Sequence, residues 1–338
     1  MFVSIVKWAL ITLIVSIILL TVLFTYGSMS SLDYDYRHTQ ATEDLPEFSR
    51  QSSGLVRVSA NGYEFRARVA GFDGSTDKPA VVLLHGFPVT SAMWNALIPP
   101  LTEAGFRVLA FDQRGYSPGA RPEEVSQYQI SKLTADVVAV AEAVGLHQFH
   151  LIGHDWGAVV GWSTVMQHPE RIISWTGLSI AHPAAFGAAL QNDPDQQSKS
   201  RYFLLFQTPW LPETLFTFND LSVLDAIYST MSAEQIAEYH SVFTEPGALT
   251  GALNWYRAMT LGQDGGTDLS MEISTPTLFI WGNQDEAVGR VAVKSQVEYI
   301  AGPYEEIELD AGHWLLTDLP KEVIEPIIRH LETYNSAD

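Results

Sequence analysis

The chain has 338 residues, 46% of them hydrophobic, with 24 glycines and 17 prolines, a globular composition that allows one or two domains around a sizeable core. Its 39 acidic and 19 basic residues give a net charge of −20, which argues against nucleic acid as a partner and against tight docking on anionic lipid. With no cysteine, disulfides, thiolate metal sites and cysteine nucleophiles are all excluded.

The first predicted element is a hydrophobic helix. From Trp8 to Tyr26 the chain runs about 19 residues without a charge, and at about 1.5 Å per helical residue this nearly spans a hydrocarbon core. A cleaved signal peptide would have a shorter apolar region and a small-residue cleavage site, which Thr25-Tyr26-Gly27-Ser28 does not offer. Residues 1–26 therefore read as a transmembrane signal anchor that meets the lipid bilayer through residues 8–26. Lys7 precedes the run, and Asp33, Asp35, Glu43 and Asp44 follow it, which favours a single pass with the main domain extracytoplasmic. Residues 27–54, polar and without apolar periodicity, read as a linker.

Alternation then begins. Leu55 to Ser59 and Tyr63 to Val69 flank Asn61-Gly62, a hairpin turn signal. Ala80 to Leu84 and Val108 to Phe111 are continuous apolar runs, which suit strands covered on both faces of a parallel sheet. Ser91 to Glu103 and Ile130 to Val144 carry helical spacing. Phe149 to Ile152 is a further apolar run, followed by a helix-compatible stretch from Ala158 to His168. Ile172 to Ile180 and Thr275 to Trp281 read as strands, Ala287 to Tyr299 as a helix, Tyr304 to Leu309 as the last strand and Lys321 to Thr333 as the last helix. The pattern predicts a doubly wound, mostly parallel α/β core. From Pro183 to about Ser270 it breaks: helical segments rich in Phe, Trp and Tyr replace it (Tyr202 to Thr208, Leu221 to Thr230, Ala233 to Phe243, Gly251 to Met259). Such an insertion reads as a cap over the carboxyl ends of the strands, where open α/β sheets hold their ligands. The expected division is a core of residues 55–183 and 271–338 with a helical cap at 184–270.

Gly153-His154-Asp155-Trp156-Gly157 lies between a strand and a helix, with a glycine two positions to either side of the apex, as a sharp turn requires. A serine at such an apex attacks acyl carbon. A carboxylate suits displacement at an sp3 carbon, and so the opening of epoxides or the expulsion of halide. Asp285 and His313 follow in the order nucleophile, acid, histidine, each just after a predicted strand. A lone aspartate or histidine at a strand end is more often a turn former or N-cap than a catalyst; three in this order and context outweigh that reading. Glu286 and the weaker Asp310 compete with Asp285 for the acid. His85-Gly86-Phe87-Pro88 follows the third strand, which nominates the backbone N–H groups of Phe87 and Trp156 as an oxyanion hole, with His85 positioning the loop. Asp112-Gln113-Arg114-Gly115-Tyr116 reads as a loop with an internal salt bridge.

Those three motifs and the late Gly312-His313 together resemble the epoxide hydrolases of the α/β-hydrolase superfamily, over nearly everything from residue 55 onward. The resemblance implies the α/β-hydrolase fold, no metal or organic cofactor, and two cap tyrosines that bind the epoxide oxygen. Asn254-Trp255-Tyr256-Arg257 is similar to the family pattern around the second, and Arg201-Tyr202-Phe203 to that around the first, which nominates Tyr256 and Tyr202. A tyrosine in an aromatic cap is otherwise a packing residue. The implied reaction is hydrolysis of an epoxide by water to a vicinal diol through an ester on Asp155, resolved by water that His313, oriented by Asp285, activates. Cap aromatics such as Phe203, Phe206, Trp210 and Trp255 suggest an apolar substrate. Haloalkane dehalogenases share Asp155-Trp156-Gly157 but carry a halide-holding asparagine where Phe87 stands, and a membrane-tethered binding protein would not require all three catalytic groups. Ser117-Pro118-Gly119-Ala120 departs from the family's usual continuation of its loop.

Overall fold

A computed structural model describes residues 11–22, 45–74, 77–262 and 271–335. One eight-stranded sheet organises the chain, in the order β1-β2-β4-β3-β5-β6-β7-β8. Its strands are β1 (Gly54–Ala60), β2 (Tyr63–Ala70), β3 (Ala80–Leu84), β4 (Arg107–Phe111), β5 (Phe149–His154), β6 (Ile172–Leu178), β7 (Thr277–Gly282) and β8 (Tyr304–Leu309). β1 and β2 form an antiparallel hairpin and β2 runs antiparallel to β4; every other neighbouring pair is parallel. Asn61 and Gly62 turn the hairpin with φ of 50° and 79°, the left-handed pair that a two-residue connection needs.

The continuous apolar runs become strands buried along their whole length, as in β3, β4, β5 and β7. Full burial requires cover on both faces, which crossover helices supply. Helices Ile130–Ala143 and Trp156–Gln167 pack on each other and on the sheet, and Pro320–Thr333 packs on β7. Two expected helices begin or run differently. Ser91 to Glu103 divides into a 3-10 turn, Ser91–Ala96, and an α-helix, Ile98–Glu103, that has proline in its first turn. Ala287 to Tyr299 becomes helical only at Arg290, because the Asp285 carboxylate takes the Ala287 and Val288 N–H groups at 2.7 and 3.0 Å in a turn of its own.

Between β6 and β7 the described cap is entirely helical: Pro183–Asn192, Pro194–Lys199, Tyr202–Phe206, Leu211–Thr217, Ser222–Ile227, Ala233–Phe243 and Ala248–Ala258. Three of these have proline in the first turn, and Ser232 with Gln235 forms a capping box. Leu211–Thr217 carries little periodicity in so few residues and escapes sequence reading.

The polar stretch read as a linker meets the core at its end. Phe48 stacks edge-on against Phe72 at 5.2 Å, and the Phe48 N–H and Arg57 carbonyl bond at 2.9 Å. Of the expected anchor, residues 11–22 are helical with apolar side chains exposed, such as Leu20 at 66%; its remaining residues lie outside the described ones. Among the described residues no helix is long and apolar enough to cross a membrane.

Candidate active site

The site starts from a turn. Asp155 sits between β5 and the helix Trp156–Gln167 at φ 53° and ψ −124°, a left-handed conformation costly for a residue with a Cβ. The turn is possible because the residues two positions to either side, Gly153 and Gly157, have none: a Cβ on Gly157 would lie 2.0 Å from the Leu84 carbonyl oxygen. On the other side, a Cβ on Gly86 would lie 2.4 Å from that of Asp155, so the loop after β3 touches the carboxylate directly. The Phe87 N–H donates to Asp155 Oδ1 at 2.8 Å. Trp156 is the first residue of its helix, so its N–H is among those with no intrahelical acceptor.

The other oxygen faces a histidine. Asp155 Oδ2 lies 3.6 Å from His313 Nε2, and His313 Nδ1 donates to Asp285 Oδ2 at 2.9 Å. The three residues come from the ends of β5, β7 and β8, and each is fixed through backbone groups. Asp285 Oδ1 accepts the two amides of its turn. The His313 carbonyl accepts from His154 Nε2 at 2.9 Å and from Ser179 Oγ at 3.2 Å. Glu286 is exposed, and Asp310 accepts from Gln284 at 2.7 Å, so Asp285 is the carboxylate that reaches the imidazole.

Electrostatics follow from this row of alternating charges. Burial alone would depress His313, but the flanking Asp285 and Asp155 overcome it and raise its pKa to about 10. Burial would raise both carboxyls; the hydrogen bond and charge of His313, with backbone N–H donors, hold both below the usual carboxylate range. Burial, joined by the charge of His313, lowers His154 to about 4, so it is a neutral donor beside the row.

Across from the carboxylate lies a cavity of about 360 Å³, lined by Asp155, Trp156, Tyr202, Phe203, Tyr256 and mostly apolar side chains from both core and cap. Tyr256, 2% exposed, stacks edge-on with Trp156 at 5.1 Å and with Phe87 at 5.6 Å. Tyr202 lies 6.1 Å from it, ring to ring. Burial, reinforced by the Asp155 charge, raises both phenols well above their ordinary value, so both hydroxyls stay protonated as donors at neutral pH. Four of the seven nominated residues, Asp155, Trp156, Tyr202 and Tyr256, line this cavity; Phe87 and His313 flank the Asp155 carboxylate, and Asp285 stands behind His313. Among the described residues that line the cavity, Asp155 is the only charged one.

A family model described as the α/β hydrolase fold matches residues 79–210. Epoxide hydrolase A of Mycobacterium tuberculosis is 33% identical to this chain, over 81% of it and 96% of the relative. The chain belongs to the epoxide hydrolase family of the α/β hydrolases. The AB hydrolase superfamily protein YfhM of Bacillus subtilis is 32% identical over the same shares of each chain. Among solved structures, Epoxide Hydrolase A from Mycobacterium thermoresistibile superposes with a TM-score of 0.69 at 31% identity, covering 83% of this chain and 98% of that one.

Within this epoxide hydrolase family member, two loops support the site. His85 takes the Gln113 N–H on Nε2 at 3.0 Å and pairs through Nδ1 with the Gly86 carbonyl at 2.9 Å, which defines a neutral Nδ1-protonated ring. The Asp112–Tyr116 loop contains no internal salt bridge, contrary to expectation. Arg114 instead reaches out to Asp136 with two bonds of 2.7 Å, and Asp112 faces Arg66 of β2 at 3.4 Å. Burial explains the difference: buried charges need a partner with the right approach, and sequence neighbours in a tight loop point apart. Sequence reading also missed Lys199, which donates to the Asp285 carbonyl at 2.6 Å, and Phe216 and Phe243, which enclose Phe87. No local pattern marks a residue whose partner lies a domain away.

Proposed function

We propose that this protein hydrolyses an uncharged, apolar epoxide to a vicinal diol in two steps, with a covalent ester on Asp155 between them. The observation that carries the reading is the Asp155–His313–Asp285 row facing the phenols of Tyr202 and Tyr256 across an apolar cavity. An ionised carboxylate needs no base to attack. Oδ1 is engaged by the Phe87 amide, which leaves Oδ2 as the nucleophile. As Oδ2 bonds to the epoxide carbon, the ring C–O bond breaks, and Tyr202 and Tyr256 hydrogen-bond and protonate the leaving oxygen.

Esterification also prepares the second step. At rest His313, with a pKa of about 10, carries a proton and cannot act as a base. Turning Asp155 into a neutral ester removes one of the two carboxylates that hold that proton. The proton it releases balances the one taken by the epoxide oxygen. Neutral His313 then takes a proton from water, the hydroxide adds to the Asp155 carbonyl carbon, and the Phe87 and Trp156 amides receive the oxyanion. Collapse expels the diol, whose leaving oxygen takes the proton from His313, and the carboxylic acid left on Asp155 passes its proton to His313, which restores the resting pair.

In His313→Gln, ester formation is expected to proceed and hydrolysis to stop, so an epoxide should add its full mass to the protein in intact mass spectrometry. A variant that neither turns over nor gains mass from a good wild-type substrate would overturn the two-step scheme. A panel of aliphatic and aryl epoxides beside haloalkanes, scored for diol and for halide, separates epoxide opening from dehalogenation. We also read residues 8–26 as a single-pass anchor that leaves the catalytic domain extracytoplasmic, on the strength of the uncharged run and the exposed apolar side chains within residues 11–22. Full-length protein should then pellet with membranes after carbonate washing, and recovery in the supernatant would refute the anchor.

A further inference from the structure

The loop that carries the Phe87 amide is held from two sides. From the core, Asp112 Oδ1 accepts the Ser91 N–H at 2.7 Å, and Arg68 Nη1 donates to Ser91 Oγ at 2.7 Å. From the cap, the Tyr228 hydroxyl donates to the Pro88 carbonyl, Thr90 Oγ1 donates to Glu238 Oε1 at 3.2 Å, and Gln235 Nε2 donates to the Ala92 carbonyl at 3.3 Å. Glu238 is the centre of this arrangement. Besides Thr90, its carboxylate takes the guanidinium groups of both Arg66 and Arg68 on β2, and Arg66 faces Asp112. Two guanidinium groups thus balance two carboxylates in a region where Asp112 is fully buried and Glu238 only 18% exposed. Charge pairs there act through a lower dielectric than at the surface, and each is costly to leave unpartnered.

None of these groups lines the cavity. Their leverage comes from the contact between loop and nucleophile, where Gly86 lies against Asp155 with no room for a Cβ. A loop displaced by a few tenths of an ångström shifts the 2.8 Å bond from the Phe87 N–H to Asp155 Oδ1.

We propose that Glu238 and Tyr228 are positioning residues through which the cap sets the Phe87 amide against Asp155. The proposal rests on the two-step reading above, and it assigns their effect to one step. During epoxide opening Oδ1 passes from a carboxylate oxygen to an ester carbonyl and loses charge. During ester hydrolysis it regains charge as the oxyanion, and the amide is needed most there. Weakening the hold therefore slows hydrolysis of the ester and spares its formation.

Glu238→Gln and Tyr228→Phe keep shape while removing a charge or a hydroxyl. In each, kcat and KM should fall together, by up to about tenfold, since the donor is displaced and not deleted. The ratio kcat/KM, which reports the steps up to ester formation, should stay at the wild-type value. Intact mass spectrometry at steady state should show a larger esterified fraction than in wild type. A merely structural role would give a different signature, a lower kcat at unchanged KM with no added ester, and that result would overturn the proposal. So would a fall in kcat/KM in both variants, because it places their effect in epoxide opening. Failure of the His313→Gln trap to gain mass is a separate result, which removes the two-step reading itself whatever these variants do.

Discussion

The core half and the cap half of the active site are built on opposite principles. Asp155, Asp285 and His313 stand at strand ends, and backbone groups hold them: the elbow turn, two turn amides, and a carbonyl gripped by His154 and Ser179. Tyr202 and Tyr256 stand on cap helices and are held by rings, with Phe206 at 5.1 and 5.0 Å from them. The ionised half is thus positioned by directional bonds that tolerate no displacement. The neutral half is positioned by shape, which many side-chain combinations can satisfy. That division matches the proposed labour: the core carries charge through both steps, whereas the two cap tyrosines act only while the epoxide ring opens.

The largest effect tests the core. Asp155→Asn keeps size and tolerates the left-handed backbone, yet should abolish diol formation, a loss of at least ~10⁴-fold, with no mass gained from substrate. The cap should yield the next largest. With two donors worth about 10²-fold each, Tyr202→Phe combined with Tyr256→Phe is expected to lower kcat/KM by about 10⁴-fold. Unlike His313→Gln, this double variant should accumulate no ester, because it fails before the ester forms. Undiminished activity, or ester accumulation, would break the assignment of the two cap tyrosines to the first step.

A pH profile sharpens the core side. Ester hydrolysis needs neutral His313, so kcat should rise with pH as the imidazolium of the ester form loses its proton. Asp285 is the carboxylate that remains beside it, and it favours the charged ring. Asp285→Asn should therefore shift the rise in kcat to lower pH, while the plateau drops by about 10³-fold as the ring loses its orienting acceptor. A rise that stays in place, or moves to higher pH, would remove Asp285 from the role.

This contrast also explains what could be read in the sequence. Core elements announce themselves because strands covered on both faces must be apolar throughout, and because a sharp strand-to-helix turn demands small residues around Asp155. The order of Asp155, Asp285 and His313 then locates the row without any knowledge of distances. Cap helices of six or seven residues, such as Pro194–Lys199 and Leu211–Thr217, offer too few turns for periodicity to register. Tyr256 was reachable only through the resemblance of its surroundings. The tie from Glu238 to Arg66 and Arg68 spans 172 and 170 residues of sequence, and no local pattern encodes such a pairing.

The smallest predicted effect falls where shape alone is at work. Phe203 lines the cavity and meets Tyr256 ring to ring at 5.6 Å, but it donates no hydrogen bond to the chemistry. Phe203→Leu keeps the wall apolar and frees space, at a cost of about 1 kcal/mol in contacts with a substrate that rests against the wild-type ring. For a compact epoxide, kcat/KM should fall only severalfold, and for one bulkier by a few carbons it should hold or rise. The pH profile of kcat should not move, since no charge near His313 changes. If this variant instead loses as much as the double tyrosine variant, the cap is positioned as rigidly as the core and the two halves are not built differently after all.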